Sequence, residues 1–366
     1  MIGAPSTAED AAFGSYAAVL VTGQHLLAAE MSQRLARLGA AVAPAARAPD
    51  DPDFHWGRWF AAAARKVLAA ATGPVDAIGW VGAGALPLLA DADLADLLAP
   101  ISGEVVANNR HSADAFMVAG DLPAALSALE TEATDNAAVH VLEASGFTPR
   151  DLADRAWARF DVDTPLDLAL LRLALRLPGI RRPDTSVVAF LEGVQLPTGH
   201  GLEIPGLDAV LAVCRDRERQ LVVAGRIPSS AWQYLEQQAA CRTRCFVEER
   251  GMRAAPDAVP RSLLARWIQR LGPADLITEL ASLGDAVILD TRVLMAALIG
   301  SSRSHAWPPA EERFASDFHD SRSIGTDWLR ELTAAAAATE VPVILGGHAL
   351  VSDGLRILVD AAWLGT

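Results

Sequence analysis

The chain has 366 residues, with 31 Lys+Arg against 45 Asp+Glu and a formal charge of −14. Hydrophobic residues make up 51% and charged residues 21%, which excludes a disordered chain. A field of that sign repels phosphate backbones, so nucleic-acid binding through bulk positive charge is excluded as well.

At roughly 150 residues per domain the length predicts two domains. Lys66 is the only lysine, so anion recognition falls to arginine, backbone N–H groups or a metal. The three cysteines, Cys214, Cys241 and Cys245, are too few for a secreted disulfide framework and fit a reducing cytoplasm. The sequence carries no basic stretch followed by an apolar one near residue 1, and no apolar run reaches the ~18 residues of a membrane span. The expectation is a cytoplasmic protein with no nucleic-acid or membrane partner; self-association stays open.

In chain order, residues 17–22 (AAVLVT) have the pattern of a short buried strand. Residues 25–38 have helical spacing and stop at Gly39, and 40–44 form a second strand. Residues 53–58 (DFHWGR) enter a helix over 59–71; Phe54 and Trp56 pack that entry, the favoured reading, or stack with His55 and Arg58 on a base or sugar. A strand over 77–81 is followed by a helix over 91–98 with an acidic start. Strands over 104–107 and 115–119 precede helices over 123–129 and 137–144. A strand over 159–162 then feeds a helix over 165–177, with Thr164 as N-cap and Pro165 in its first turn. Residues 178–183 (PGIRRP) mark a boundary between regions 1–178 and 184–366. Beyond it, strands over 220–225, 243–247, 286–289 and 341–345 alternate with helices over 229–240, 261–271, 274–283, 326–338 and 350–363. The alternation predicts an α/β protein of Rossmann type, a mostly parallel sheet flanked by helices, with a second α/β region after residue 184.

Several strand ends carry chemistry. Asp161 and Asp163 stand where a strand meets a helix start, a place where carboxylates hold Mg²⁺ or cap the helix. The run Asn108-Asn109-Arg110-His111-Ser112-Ala113-Asp114 follows the strand over 104–107. Asn108 and Asn109 offer donors and acceptors for a substrate, His111 an acid or base, and Asp114 a metal ligand or a partner for the histidine. In the second half Arg250, Arg253, Asp290, Arg292 and Gly346-Gly347-His348 all follow strands. Such residues converge at the carboxyl edge of a parallel sheet, where arginines grip phosphate or carboxylate bidentately.

The segment FDVDTPLDLALL at 160–171 resembles the end of the nucleotidyltransferase domain in the molybdenum-cofactor and 2-phospholactate guanylyltransferase group, which has a D-x-D-T-P-E-D-L-like sequence there. Residues 75–90 (VDAIGWVGAGALPLLA) resemble that group's strand ending in a D-x-P-L-L-type segment, and the order of elements is similar over about 15–177. The resemblance implies a nucleotidyltransferase-like fold, a nucleotide or other phosphorylated small molecule as ligand, and Mg²⁺ or Mn²⁺ as cofactor. Asp163 and Asp114 are then the metal candidates, and Asp114, His111 and Asp163 the catalytic ones. Two positions depart from the pattern. Thr22-Gly23-Gln24-His25 stands in place of the glycine-rich phosphate loop, and Ala85 in place of a metal-binding aspartate. Three readings stay open: a divergent nucleotidyltransferase-like enzyme, a binding or regulatory protein that kept the fold without the chemistry, and an enzyme whose site lies in the second half. The first requires that the acidic tip at 161–163 and the stretch 108–114 open into a common hollow.

Overall fold

The periodicity of the first helix decides how the chain begins. The computed structural model describes residues 14–43, 54–250, 260–300 and 306–364. In it residues 17–22 are not a strand but part of α1 (Tyr16–Arg37). Burial recurs at Tyr16, Val19, Leu20, Gly23, Leu27, Glu30, Met31, Arg34 and Leu35, a single stripe at the helical repeat. A six-residue apolar run does not distinguish strand from helix; its continuation along that stripe does. Residues 40–43 form no strand either, and Pro44 lies outside the described residues.

The chain divides into two compact units, and they are not consecutive halves. A parent unit comprises 1–23, 162–180 and 185–366; an insert unit comprises 24–161 with 181–184.

The insert unit contains α2 (Trp56–Ala70), β1 (Ala77–Val81), α3 (Asp91–Leu97), β2 (Glu104–Ala107), β3 (Ala115–Ala119), α4 (Leu122–Leu129), α5 (Ala138–Ala144) and β4 (Thr148–Asp151). Its sheet has the order β1-β3-β2-β4. Strand β3 runs antiparallel to both β1 and β2, and only β2 and β4 are parallel. The expectation of a mostly parallel sheet therefore fails in this unit. The reason is loop length: residues 108–114 are too short for a crossover, which needs a dozen or more residues, so β3 must turn back beside β2. Trp56 stacks on Phe60 with ring centroids 5.1 Å apart, and both pack with Phe116 in the core. The helix entry at 54–58 is thus a packing device, as its aromatics predict. A second buried set joins Leu35 of α1 to Leu86, Leu89, Leu94 and Leu97. There Arg34, fully buried, donates to Asp91 Oδ1 at 2.9 Å and to the carbonyls of Leu86 and Leu89.

The parent unit contains α6 (Pro165–Ala174), α7 (Thr185–Gly193), α8 (Leu207–Arg215), β5 (Gln220–Gly225), α9 (Ser229–Gln238), β6 (Arg242–Val247), α10 (Leu263–Leu271), α11 (Pro273–Ser282), β7 (Ala286–Asp290), α12 (Thr291–Ile299), α13 (Ala310–Asp317), α14 (Asp327–Ala338), β8 (Val343–Gly346) and α15 (Asp353–Ala362). Its sheet is parallel throughout, in the order β6-β5-β7-β8. The strands are near-continuous apolar runs (LVVA, AVIL, VIL), as a sheet covered on both faces demands. Val222, Val287 and Val343 pack with Leu276, Leu280 and Leu332 of the covering helices. Registers pair Gly225 with Val247 and Asp290 with Gly346, so the carboxyl ends of neighbouring strands finish level.

Candidate functional sites

In the parent unit the strand order reverses direction between β5 and β7. Open parallel sheets take ligands at such a reversal, outside the carboxyl ends. Asp290 closes β7 there and is wholly buried. Arg226, the residue after β5, donates to it through Nε at 2.6 Å and Nη2 at 3.1 Å. Asp290 also caps α12 by accepting from the Arg292 backbone N–H at 3.1 Å. Burial pushes the Asp290 carboxyl up, but Arg226 outweighs it, with His348 helping, and the group is held below its ordinary value. The two strands meet this closely because residue 225 is glycine. Its φ is +143°, and a Cβ there would sit 2.3 Å from the Asp290 Cβ.

A second ion pair lies beside the first. Arg292 Nη1 and Nη2 reach the two Asp317 oxygens at 2.5 and 2.6 Å, and Nη1 also donates to Thr291 Oγ1 at 2.9 Å. Both charges are buried, and a pair of that kind persists only with its hydrogen bonds complete. Burial raises the Asp317 carboxyl, against the pull of Arg292.

Asp167 is the third acid of this region. Its Oδ2 accepts from the backbone N–H of Asp163 at 3.0 Å and of Thr164 at 2.8 Å, while Thr164 Oγ1 accepts from the Asp167 N–H at 3.2 Å. That is a reciprocal capping box for α6. The segment that carries the family resemblance is thus a helix cap in local structure. Asp167 Oδ1, by contrast, is buried with no partner. Burial, then the charge of Asp163, raise the Asp167 carboxyl to about 7.

Gly346 ends β8, and Gly347 and His348 follow it, with differing roles. Gly346 has a packing role: a Cβ there would come within 2.6 Å of Leu166 Cδ2 and 2.7 Å of Leu350 Cδ2. Gly347 lies against the Arg292 guanidinium, its Cβ position 3.7 Å from Nε. His348 is exposed and close enough to act on the Asp290 charge. The helix expected at 350 starts only at Asp353, so its N-terminus does not directly follow Gly347. Arg250 is exposed, and Arg253 lies outside the described residues. Arg226 was not legible as a site residue. The signal available was its place after a glycine that ends a buried strand.

In the insert unit the run 108–114 is a loop closed on itself. Asn108 is buried at 1% exposure. Its Nδ2 donates to Asp114 Oδ2 at 3.1 Å and to the Ala158 carbonyl at 3.0 Å. Its Oδ1 accepts from the N–H groups of Asp114 and Ala115 at 3.0 Å. All its bonding capacity is therefore engaged by protein, and the expected substrate-binding role for Asn108 gives way to that of a staple. Asn109 Oδ1 accepts from the His111 N–H at 3.2 Å, an Asx turn. His111 is exposed.

The positions that depart from the family pattern can now be placed. Gly23 is inside α1, not in a loop, and a Cβ there would meet the Leu168 methyls at 2.8 and 2.9 Å. Its small size serves packing on α6, and residues 22–25, which lack the glycine-rich loop in sequence, are helical. The expected strand at 159–162 is reduced to one antiparallel bridge, Ala85 with Asp161. Leu86 beside it holds φ at +59° and Trp157 at +67°, backbone states that tend to mark functional loops. Ala85 is buried and carries no ligating oxygen. Asp163 belongs to the parent unit and Asp114 to the insert unit. Among the described residues no group of three or more His, Cys, Asp or Glu is placed to hold a metal ion. Neither Asp114 nor Asp163, the two metal candidates, belongs to such a group. No helix among the described residues is long and apolar enough to cross a membrane. No protein-family model, curated protein or solved structure matches the chain.

Proposed function

We propose that the protein binds a phosphorylated small molecule, with nucleotides the leading class, at the carboxyl edge of the parent-unit sheet. The observation that carries this reading is the Arg226–Asp290 pair at the strand-order reversal between β5 and β7. Arg226 spends two guanidinium nitrogens on Asp290 and is partly exposed. Its charge is matched by Asp290, and its unused N–H groups are donors for an anionic ligand arriving from solvent. Gly347 sets backbone against the Arg292 guanidinium, its Cβ position 3.7 Å from Nε. Mg²⁺ or Mn²⁺ enters this reading with the ligand's phosphates, since such ions are commonly held by one or two carboxylates plus substrate oxygens.

The resemblance at 160–171 extends the proposal to a divergent nucleotidyltransferase-like transferase. Ala85 favours the alternative, a binding or regulatory protein that kept the fold without transfer chemistry. We take the alternative as the better supported, because the missing carboxylate lies at the position the chemistry would need.

Thermal unfolding of the full chain with nucleoside triphosphates, each with Mg²⁺ or Mn²⁺, tests the binding. A rise in Tm in the wild type that Arg226→Ala abolishes is the expected result. No shift with any nucleotide–metal pair refutes the reading. Pyrophosphate release from the nucleotide that binds separates transferase from binding protein.

A further inference from the structure

Two exposed imidazoles of the insert unit meet, one from the 108–114 run and one from α5. His111 follows β2 in the closed loop, and His140 is on α5. His111 Nδ1 and His140 Nε2 stand 3.4 Å apart, with ring centroids at 5.3 Å and planes at 35°.

Those numbers can be set beside the ways in which imidazoles meet. Two rings sharing one metal at a Zn–N length of about 2.05 Å and a tetrahedral angle have nitrogens about 3.3 Å and centroids about 5.2 Å apart. A right-angle arrangement at the same length gives about 2.9 and about 4.5 Å. Rings pointing straight at each other at the observed nitrogen separation would hold their centroids near 5.7 Å, about the separation plus two ring radii. The observed pair of distances fits tetrahedral convergence on a common point, and fits equally one bent N–H···N hydrogen bond between the two rings in the metal-free protein.

Both partners are held in place. The Asx turn from Asn109 fixes the His111 backbone. Next to it Ser112 Oγ donates to Asn136 Oδ1 at 2.6 Å, tying the loop to the turn one helical step before His140. One turn beyond His140, Glu143 pairs with Arg110 at 2.5 Å. A site preset in this way loses little freedom on taking up an ion.

We propose that His111 and His140 form a two-imidazole site for a borderline divalent transition ion, Zn²⁺ above all. Imidazole nitrogen suits Zn²⁺, Ni²⁺ and Cu²⁺ and not Mg²⁺, which takes oxygen. The protein supplies two of four ligands, and the other two positions are open to water or to an anionic ligand. This site is independent of the nucleotide reading of the parent unit.

The test is calorimetric titration of the full chain with Zn²⁺ alone, in a buffer that does not coordinate metal. The wild type is expected to bind an ion that His111→Ala and His140→Ala each weaken by about tenfold or more. Circular dichroism of both variants should be unchanged, since both side chains are exposed. The chain has eight histidines, so equal binding by the double variant and the wild type would place the ion elsewhere and overturn the proposal. So would absence of binding in the wild type. A second measurement needs no variant: Zn²⁺ should protect His111 and His140 together from diethyl pyrocarbonate, read by peptide mass. Modification of both at the metal-free rate overturns the site.

Discussion

Arg226 reaches from the end of one parallel strand to the carboxylate that ends the next, holding Asp290 at 2.6 and 3.1 Å. The acid has no exposed surface, while the arginine is 23% exposed. The pair thus connects the wholly dry side of the sheet edge to its wet side. Arg226→Ala leaves a charged or forcibly protonated carboxylate in the core. Unfolding in urea should show a loss of about 2–3 kcal/mol, less than for a pair buried on both sides. A loss under about 0.5 kcal/mol would show the pair to be dispensable.

Asp167 should leave its mark on the pH dependence of stability. Its folded value of about 7 lies above the ordinary 3.8. The folded state therefore keeps a proton that the unfolded chain releases, and stability falls as pH rises from about 4 to about 7, then levels. Asp167→Asn removes this slope while keeping an acceptor for the Thr164 N–H. The wild type minus variant stability should shrink by a few kcal/mol between pH 4 and 8. Parallel pH curves for the two proteins would contradict the assignment.

Two glycines separate packing from conformation. Gly225→Ala puts a methyl onto the Asp290 Cβ at 2.3 Å and forces a residue with a side chain to φ +143°. It should cost more than about 2 kcal/mol, or prevent folding. Gly23→Ala meets only the far ends of a leucine and a phenylalanine and gains about 1 kcal/mol of helix propensity. Its stability should change by less than about 1 kcal/mol, and nucleotide affinity should not change. A selective loss of affinity would restore a phosphate-binding role to residue 23.

Asn108→Ala removes one side chain that satisfies four groups, the N–H of Asp114 and of Ala115, the Ala158 carbonyl and Asp114 Oδ2. Leaving several buried polar atoms unpaired should cost about 2–4 kcal/mol in chemical denaturation. Asn108→Asp keeps the acceptor but turns a second oxygen on Asp114 Oδ2 and the Ala158 carbonyl, so it should be no more stable than Asn108→Ala at neutral pH.

Much of the second half could be read from sequence because its strands are buried on both faces. Runs such as LVVA and AVIL stand out whatever their neighbours do, and the strand 220–225 coincides with β5 residue for residue. The alternating loop-and-strand pattern also located β1, β2 and β3. Failures came where a short pattern had two physical solutions. Residues 17–22 are as apolar as a strand, but their stripe continues to Leu35. Thr148–Asp151 pairs in parallel with β2 while offering Pro149 and Arg150, so tertiary pairing overrides a poor strand propensity there. For the sites, the strand-end rule drew attention to Asp290, Arg292 and His348. It passed over Arg226, whose partner is set by register with another strand and not by its own neighbours. In Asn108 the same residue type that forms sites serves as internal scaffolding.

Because residues 24–161 interrupt the parent unit, the start of α1 cannot complete its contacts in the order in which it is made. The N–H groups of Tyr16 and Ala17 are received by Glu311 at 2.8 Å, and the Tyr16 hydroxyl bonds to Asp320. Translation at about 5–20 residues per second puts roughly 15–60 s between the synthesis of these partners. The interrupting segment has its own core and can consolidate during that wait. The opening turn of α1 must meanwhile remain tethered to the ribosome's growing product without its receiving carboxylates. Nascent chains stalled before residue 311 should therefore be cut by protease near residue 16 while the segment around Phe116 is already protected.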